Sequence, residues 1–179
     1  MGNRATVQLK SDNKDRGIYF HWHGEQESIA AFLHETKRRY HANPYALNPD
    51  SILAGVECDD REESKTIRFY AALQAVASEY LAYGSPNPDC QADSAYLLSN
   101  GAREGGCDNG CYLIEDDFTC PNVDTATLTD ENYVSYNHIN MDEFTAEQRT
   151  DYDSILTFFE DSRHAMNAIA ERKKSLHNP

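Results

Sequence analysis

Apolar residues recur at every second position in two short runs near the N-terminus, residues 5–9 and 18–23. The second run places Ile18, Phe20 and Trp22 on one face and Tyr19, His21 and His23 on the other. A period of two is typical of a strand that packs on one side. The polar stretch 11–17 separates the runs, so the pattern predicts an N-terminal hairpin, in which Val7 and Leu9 alternate with Thr6 and Gln8.

Three longer segments carry apolar residues at helical spacing. They predict helices over residues 26–41, from about Glu62 to Tyr83, and from a capping box at Thr145 and Gln148 through the C-terminal region. The apolar face of the last segment comprises Tyr152, Ile155, Leu156, Phe159, Met166 and Ile169. We expect this last helix to be either long or broken.

Between the second and third helical segments, the apolar runs 96–98 and 111–114 are separated by a glycine-rich stretch. This arrangement predicts short strands in a central meander. The chain has 179 residues and shows neither an internal repeat nor a low-complexity linker. We therefore expect one α+β domain over residues 1–179, with an antiparallel sheet built from the hairpin and the meander and packed by about three helices.

Charge is distributed unevenly along this pattern. Residues 57–162 contain 23 acidic and 5 basic residues, a net of −18, whereas the flanks are mildly basic and the whole chain has a net charge of −14. An excess of 18 negative charges matches that of about 9 base pairs of DNA. The acidic central block could therefore bind a basic protein groove that normally holds nucleic acid, but it would repel nucleic acid itself.

The acidic block supplies the candidate partner-binding residues. They are Asp59, Asp60, Glu62, Glu63, Glu115, Asp116, Asp117, Asp142, Glu143, Asp151 and Asp153. None of these runs has the residue order of a calcium-binding loop, and nothing in the sequence places two of them across a catalytic cleft. Whether they share one face depends on the fold.

Histidines and cysteines supply two candidate metal sites. The first consists of His21 and His23 on one strand face with His34 and His41 on the next helix. The second consists of Cys107, Cys111 and Cys120, completed by Cys90 or a histidine. The spacing of Cys107 and Cys111 differs from that of a zinc knuckle, and a hairpin turn at Asn109-Gly110 would equally explain it. An odd total of five cysteines argues against an oxidised, disulfide-bonded scaffold.

The sequence contains no nucleotide-binding glycine loop, serine-hydrolase elbow or metalloprotease motif, and we expect no cofactor. It has neither an apolar run long enough to cross a bilayer nor an apolar N-terminal signal core, so we expect a cytoplasmic protein. Its eleven tyrosines raise self-association as a further hypothesis, because tyrosine is common at interfaces.

Several segments resemble a group of small uncharacterised proteins of bacterial phages, plasmids and other mobile elements. The resemblance lies in residues 1–5, 18–24, 27–29 with 32–33, and 108–115, which are 25 of the 179 residues. It implies no catalytic residue. It does imply a context in which small acidic proteins block host defence, as DNA-mimicking anti-restriction and anti-CRISPR proteins do.

Charge and resemblance together favour a non-enzymatic acidic inhibitor in the cytoplasm of a host bacterium. Its partner would be a basic nucleic-acid-binding protein or complex of a host defence system. The alternative is a metal-binding enzyme or regulator built on the cysteines and histidines.

Overall fold

The computed structural model describes residues 3–42, 61–100, 102, 108–123 and 135–177, without the side chains of residues 61–64, 176 and 177. Within these ranges the chain forms five strands and three helices. The strands are β1 (Ala5–Leu9), β2 (Gly17–Phe20), β3 (Ala95–Leu98), β4 (Cys111–Ile114) and β5 (Tyr136–Asn137). The helices are α1 (Gln26–Ala42), α2 (Arg61–Tyr83) and α3 (Ala146–His177). The predicted α+β class is confirmed.

The strands form one mixed sheet in the order β3-β2-β1-β4-β5. The predicted hairpin is the antiparallel pair β1 and β2, and β3 adds antiparallel to β2. The pairing then differs from a simple meander, because β4 lies parallel to β1 and β5 lies parallel to β4. β3 and β4 therefore flank the hairpin on opposite sides.

The central position of β1 changes its predicted exposure. A sheet packed on one side would leave alternate residues of β1 in solvent, but Thr6 and Gln8 are both buried. All four residues of β4 are buried as well, which fits the near-continuous apolar sequence of a strand covered on both faces. The period of two correctly predicted where the strands of the hairpin lie, but it did not predict that β4, about 100 residues further along the chain, pairs with β1.

The three helices begin and end close to where the sequence predicts. α3 is continuous over 32 residues, and its capping box is formed as expected. The Thr145 amide donates to Gln148 Oε1 at 3.0 Å, and the Gln148 amide donates to Thr145 Oγ1 at 3.2 Å. Reciprocal bonds of this kind satisfy amides that the first helical turn leaves without partners.

Aromatic rings connect the sheet to all three helices. The Phe20 ring of β2 stacks on Phe32 of α1 at 5.8 Å between centroids, Phe32 contacts Tyr80 of α2 at 5.6 Å, and Tyr80 contacts Phe159 of α3 at 6.2 Å. Phe20, Phe32 and Phe159 are fully buried. This chain of rings fixes the end of α2 against the start of α3.

The apolar face predicted for α3 is only partly buried. Tyr152, Ile155 and Phe159 lie in the core, whereas Met166 is 67% exposed and Ile169 is 56% exposed. These two residues belong to the predicted apolar face but lie outside the core, because α3 extends past the edge of the domain at that point.

Candidate functional site: an acidic pocket beside the start of the first helix

The acidic residues predicted to bind a partner do not all fall on described parts of the chain. Asp59 and Asp60 lie outside the described residues. Glu62 and Glu63 lie in the first turn of α2, and their side chains are not described. The remaining seven fall in three places: the turn after β4, the turn before α3, and α3 itself.

The turn after β4 holds Glu115, Asp116 and Asp117 beside basic and hydroxyl groups. Lys10 Nζ lies 2.6 Å from Glu115 Oε1, and the Ser11 hydroxyl donates to Asp116 Oδ1 at 2.9 Å. Hydrogen bonds from Thr119 lower the pKa of the Asp117 carboxyl. These contacts organise the turn locally and reduce its negative potential.

Asp142 and Glu143 lie in a short 3-10 turn, Met141–Glu143, that precedes α3. Asn140 caps this turn through the amide of Asp142, and its side-chain amide donates to Glu143 Oε1 at 2.8 Å. Both acidic residues are exposed. They help to define the entry to α3.

Asp151 and Asp153 are both exposed on α3, but they have different surroundings. Asp151 borders a cavity of about 260 Å³ between the β2–α1 connection, the end of α2 and the start of α3. Two further carboxylates, Glu25 and Glu27, line the same cavity. We call His23, Glu25, Glu27 and Asp151 the acidic pocket.

Backbone geometry places His23 at this pocket. His23 has φ of +57°, in the left-handed region that costs a residue with a Cβ about 1 kcal/mol. Gly24 follows with its amide donating to the Asn3 carbonyl at 2.8 Å, and a Cβ at Gly24 would lie 2.6 Å from that oxygen. The close approach therefore requires glycine, and the turn directs the His23 imidazole toward α2.

Hydrogen bonds and ring packing hold the His23 side chain. Its Nε2 lies 2.8 Å from Ser85 Oγ, and its ring meets Tyr80 edge-on at 5.3 Å between centroids. Burial lowers the pKa of His23, with the nearby Asp151 opposing this shift. The imidazole is therefore neutral at pH 7 and does not offset the charge of the carboxylates.

Glu25 has the most unusual environment of the three acids. Its Oε1 accepts a hydrogen bond from the Asn3 side chain, whereas its Oε2 is buried with no hydrogen-bond partner among the described residues. Burial raises the pKa of Glu25, and the neighbouring charges of Glu27 and Asp151 raise it further. The ionised form of Glu25 is therefore destabilised by its surroundings.

Glu27 is positioned from α3 as well as from its own helix. It lies in the first turn of α1, and Gln148 Nε2 donates to Glu27 Oε2 at 3.1 Å. Gln148 thus serves both the cap of α3 and the acidic pocket. Within the described ranges, Glu25, Glu27 and Asp151 form no salt bridge with lysine or arginine. The pocket can therefore accept hydrogen bonds from an incoming cationic group.

The sequence did not identify Glu25 and Glu27 as partner-binding residues, because both lie outside the acidic central block. A signal was nevertheless present. Two acids flank the predicted helix start directly after His23-Gly24, but acids at a helix N-terminus are equally explained by the helix dipole. Only the packing of α3 on α1 brings Asp151 to them.

The two histidines predicted to share a strand face point in different directions. β2 ends at Phe20, and the left-handed conformation of His23 breaks the alternation. His21 is exposed and lies against Trp22, with ring centroids 5.2 Å apart. No group of three or more histidine, cysteine or carboxylate side chains in the described part of the chain could hold a metal ion.

The cysteines are only partly described. Cys107 lies outside the described residues, and Cys90, Cys111 and Cys120 are present as buried thiols. Burial raises the pKa of Cys120 to about 12, with Cys111 contributing in the same direction. The Cys120 thiol is therefore protonated at pH 7. Asn109-Gly110 leads directly into β4, and most of the residues that a hairpin would pair with β4 across this turn lie outside the described residues.

None of the helices in the described residues combines the length and apolarity needed to cross a bilayer. Comparison of the chain with protein-family models, with curated proteins and with solved structures finds no match.

Proposed function

We propose that the protein is a non-enzymatic acidic inhibitor of a host nucleic-acid-binding defence system, and that it acts in the host cytoplasm by occupying a basic site. The observation that carries this proposal is the acidic pocket, in which three carboxylates converge without a basic partner among the described residues. The proposal also rests on the −18 charge of residues 57–162 and on the resemblance to mobile-element proteins.

The chemistry of the proposed target explains why carboxylates would bind to it. Nucleic-acid-binding proteins present lysine and arginine side chains to phosphate oxygens. A carboxylate offers two acceptor oxygens to the same groups and pairs in bidentate fashion with a guanidinium. Glu25, Glu27 and Asp151 would substitute for phosphates, and the ring of Tyr80 would provide a wall for the aliphatic or planar part of the incoming side chain.

The described acidic residues differ in their expected contributions. The carboxylates of the acidic pocket should contribute most, because none of them has a basic partner among the described residues and because Glu25 and Glu27 are half-buried. Glu115 already has Lys10 as a partner, so the turn after β4 should contribute less. Asp142, Glu143 and Asp153 are exposed and should mainly accelerate association.

The experiment is affinity capture of partners from a defence-competent bacterial lysate, with the wild-type chain and a Glu25→Gln, Asp151→Asn double variant as baits. We expect the wild-type bait to retain a basic nucleic-acid-binding complex at about 50 mM salt and to release it at about 500 mM. The double variant should retain much less of the same complex. Capture that is equal for both baits and unchanged by salt would contradict charge mimicry.

A further inference from the structure

The second half of α3 leaves the domain. The last contacts with the other helices are Ser162 Oγ to Glu79 Oε1 at 3.0 Å and Arg163 Nη1 to Glu35 Oε2 at 2.9 Å. Residues 164–175 are exposed on every side of the helix. At 1.5 Å per residue these twelve residues extend about 18 Å from the domain. We call residues 160–175 the projecting segment.

The apolar stripe of α3 continues into this segment. Ile155 and Phe159 are buried against the domain, and Met166 and Ile169 follow on the same side of the helix, seven and ten residues after Phe159. Both are more than half exposed. A single helix with an uncovered apolar stripe gains little from packing and is marginal in water, so a covering surface would stabilise it.

Charge along the segment is polarised. Glu160 and Asp161 lie at its start, and Arg172, Lys173 and Lys174 lie near its end, where Glu171 pairs with Lys174 at 2.7 Å and leaves residues 171–174 with a net charge of +2. Two such segments side by side in the same direction would place like charges together. In the opposite direction, the basic end of each would meet the acidic start of the other.

We propose that a second copy of this chain covers the projecting segment, antiparallel to it, about a two-fold axis between residues 167 and 168. This register sets Met166 of each copy opposite Ile169 of the other and brings the basic end of each segment beside the acidic start of the other. The same patch is used on both copies, as closed two-fold symmetry requires. The overlap is short, so the dimer forms in the micromolar range rather than the nanomolar range.

This proposal does not rest on the inhibitor function, and its test uses the protein alone. The mass is measured by sedimentation equilibrium from about 1 to about 200 µM, a range that brackets a micromolar dissociation constant. We expect a rise from 20.3 kDa toward twice that value. A monomer throughout would overturn the proposal.

Charge reversal tests the pairing directly. A variant with Glu160→Lys and Asp161→Lys, and another with Arg172→Glu, Lys173→Glu and Lys174→Glu, should each be monomeric, whereas an equimolar mixture should form the dimer again. Because these residues are exposed, both variants should keep the wild-type thermal midpoint at low concentration. Dimers that persist in each variant alone, or a mixture that stays monomeric, would overturn the proposal.

A further variant tests the apolar contact between Met166 and Ile169. Met166→Ser with Ile169→Ser removes the apolar stripe without changing charge and should weaken dimerisation at least tenfold. If these substitutions have no effect on the dissociation constant, another surface joins the copies. The triple Arg172, Lys173, Lys174 variant keeps the acidic pocket, so loss of the dimer and loss of partner binding are separable.

Discussion

Arg163 Nη1 of α3 lies 2.9 Å from Glu35 Oε2 of α1, and the Glu35 side chain is only 2% exposed. Arg38 and Arg39 contact the same carboxylate at 2.8 and 2.7 Å. Arg39 also pairs with Glu79 of α2 at 2.8 Å. One buried carboxylate thus joins all three helices, at the point where α3 leaves the domain.

Replacing Glu35 by Gln should destabilise the protein by about 3 kcal/mol, because three arginines lose the carboxylate that compensates their partial burial. Urea unfolding at pH 7 measures this loss. Glu171→Gln serves as the matched control, since Glu171 forms an exposed pair with Lys174 and should leave the unfolding free energy unchanged. Equal effects of the two substitutions would show that the Glu35 network is not a stabilising feature.

The same carboxylate predicts a pH dependence. Burial alone would raise the pKa of Glu35, but hydrogen bonds from Arg38 and Arg39 outweigh it and lower the pKa from 4.5 to about 2. Its stabilising contribution is therefore complete above pH 4.5 and is lost as the pH falls from there through 2. As the pH is lowered, the unfolding free energy of the Glu35→Gln variant should fall less steeply than that of the wild type. Parallel curves would contradict this assignment.

Tyr70 predicts a second effect on stability. Its hydroxyl accepts a hydrogen bond from the Leu9 amide at 3.0 Å and lies 3.1 Å from Asp12 Oδ2, in a buried cluster with the Asp12–Arg16 pair. Tyr70→Phe should cost about 2 kcal/mol, because a buried amide and a buried carboxylate each lose a partner. Tyr83→Phe at an 82% exposed position provides the control, and an equally small change in both variants would refute the expectation.

Glu25 should affect the pH dependence of stability in the direction opposite to that of Glu35. Its pKa is raised, so its stabilising contribution is complete below the ordinary value of 4.5 and is lost as the pH rises through the folded-state pKa. Glu25→Gln keeps the acceptor for Asn3 and removes the charge, so the variant should be more stable than the wild type at pH 7 and about equally stable near pH 4. Thermal midpoints at both pH values measure this. A variant less stable at pH 7 would show that the charge is not held at a cost.

The sequence predicted local elements well because the necessary signals are local. The helical period and the reciprocal bonds of Thr145 and Gln148 lie within a few residues of each other, so the start of α3 could be placed in advance. The parallel pairing of β1 with β4 could not be predicted, because it joins residues about 100 positions apart. The alternation within each strand does not specify its partner or its register.

The acidic pocket illustrates the same limit. Asp151 was a candidate from its charge, but Glu25 and Glu27 belong to a part of the chain with almost no net charge. Their convergence depends on how α3 packs against α1, which no local pattern specifies. The exposure of Met166 has a related cause, because helical spacing shows which face of α3 is apolar but does not show where the domain ends.

The central claim is that the acidic pocket itself binds cationic groups, beyond the general attraction of the acidic surface. Calorimetric titration of an arginine-rich peptide into matched variants tests it most directly. Glu25→Gln with Asp151→Asn should weaken binding about tenfold, whereas Asp153→Asn, which removes one charge from the same helix away from the pocket, should change it by no more than about twofold. If the double variant loses no more affinity per charge than Asp153→Asn, binding follows net charge alone and the acidic pocket is not the site.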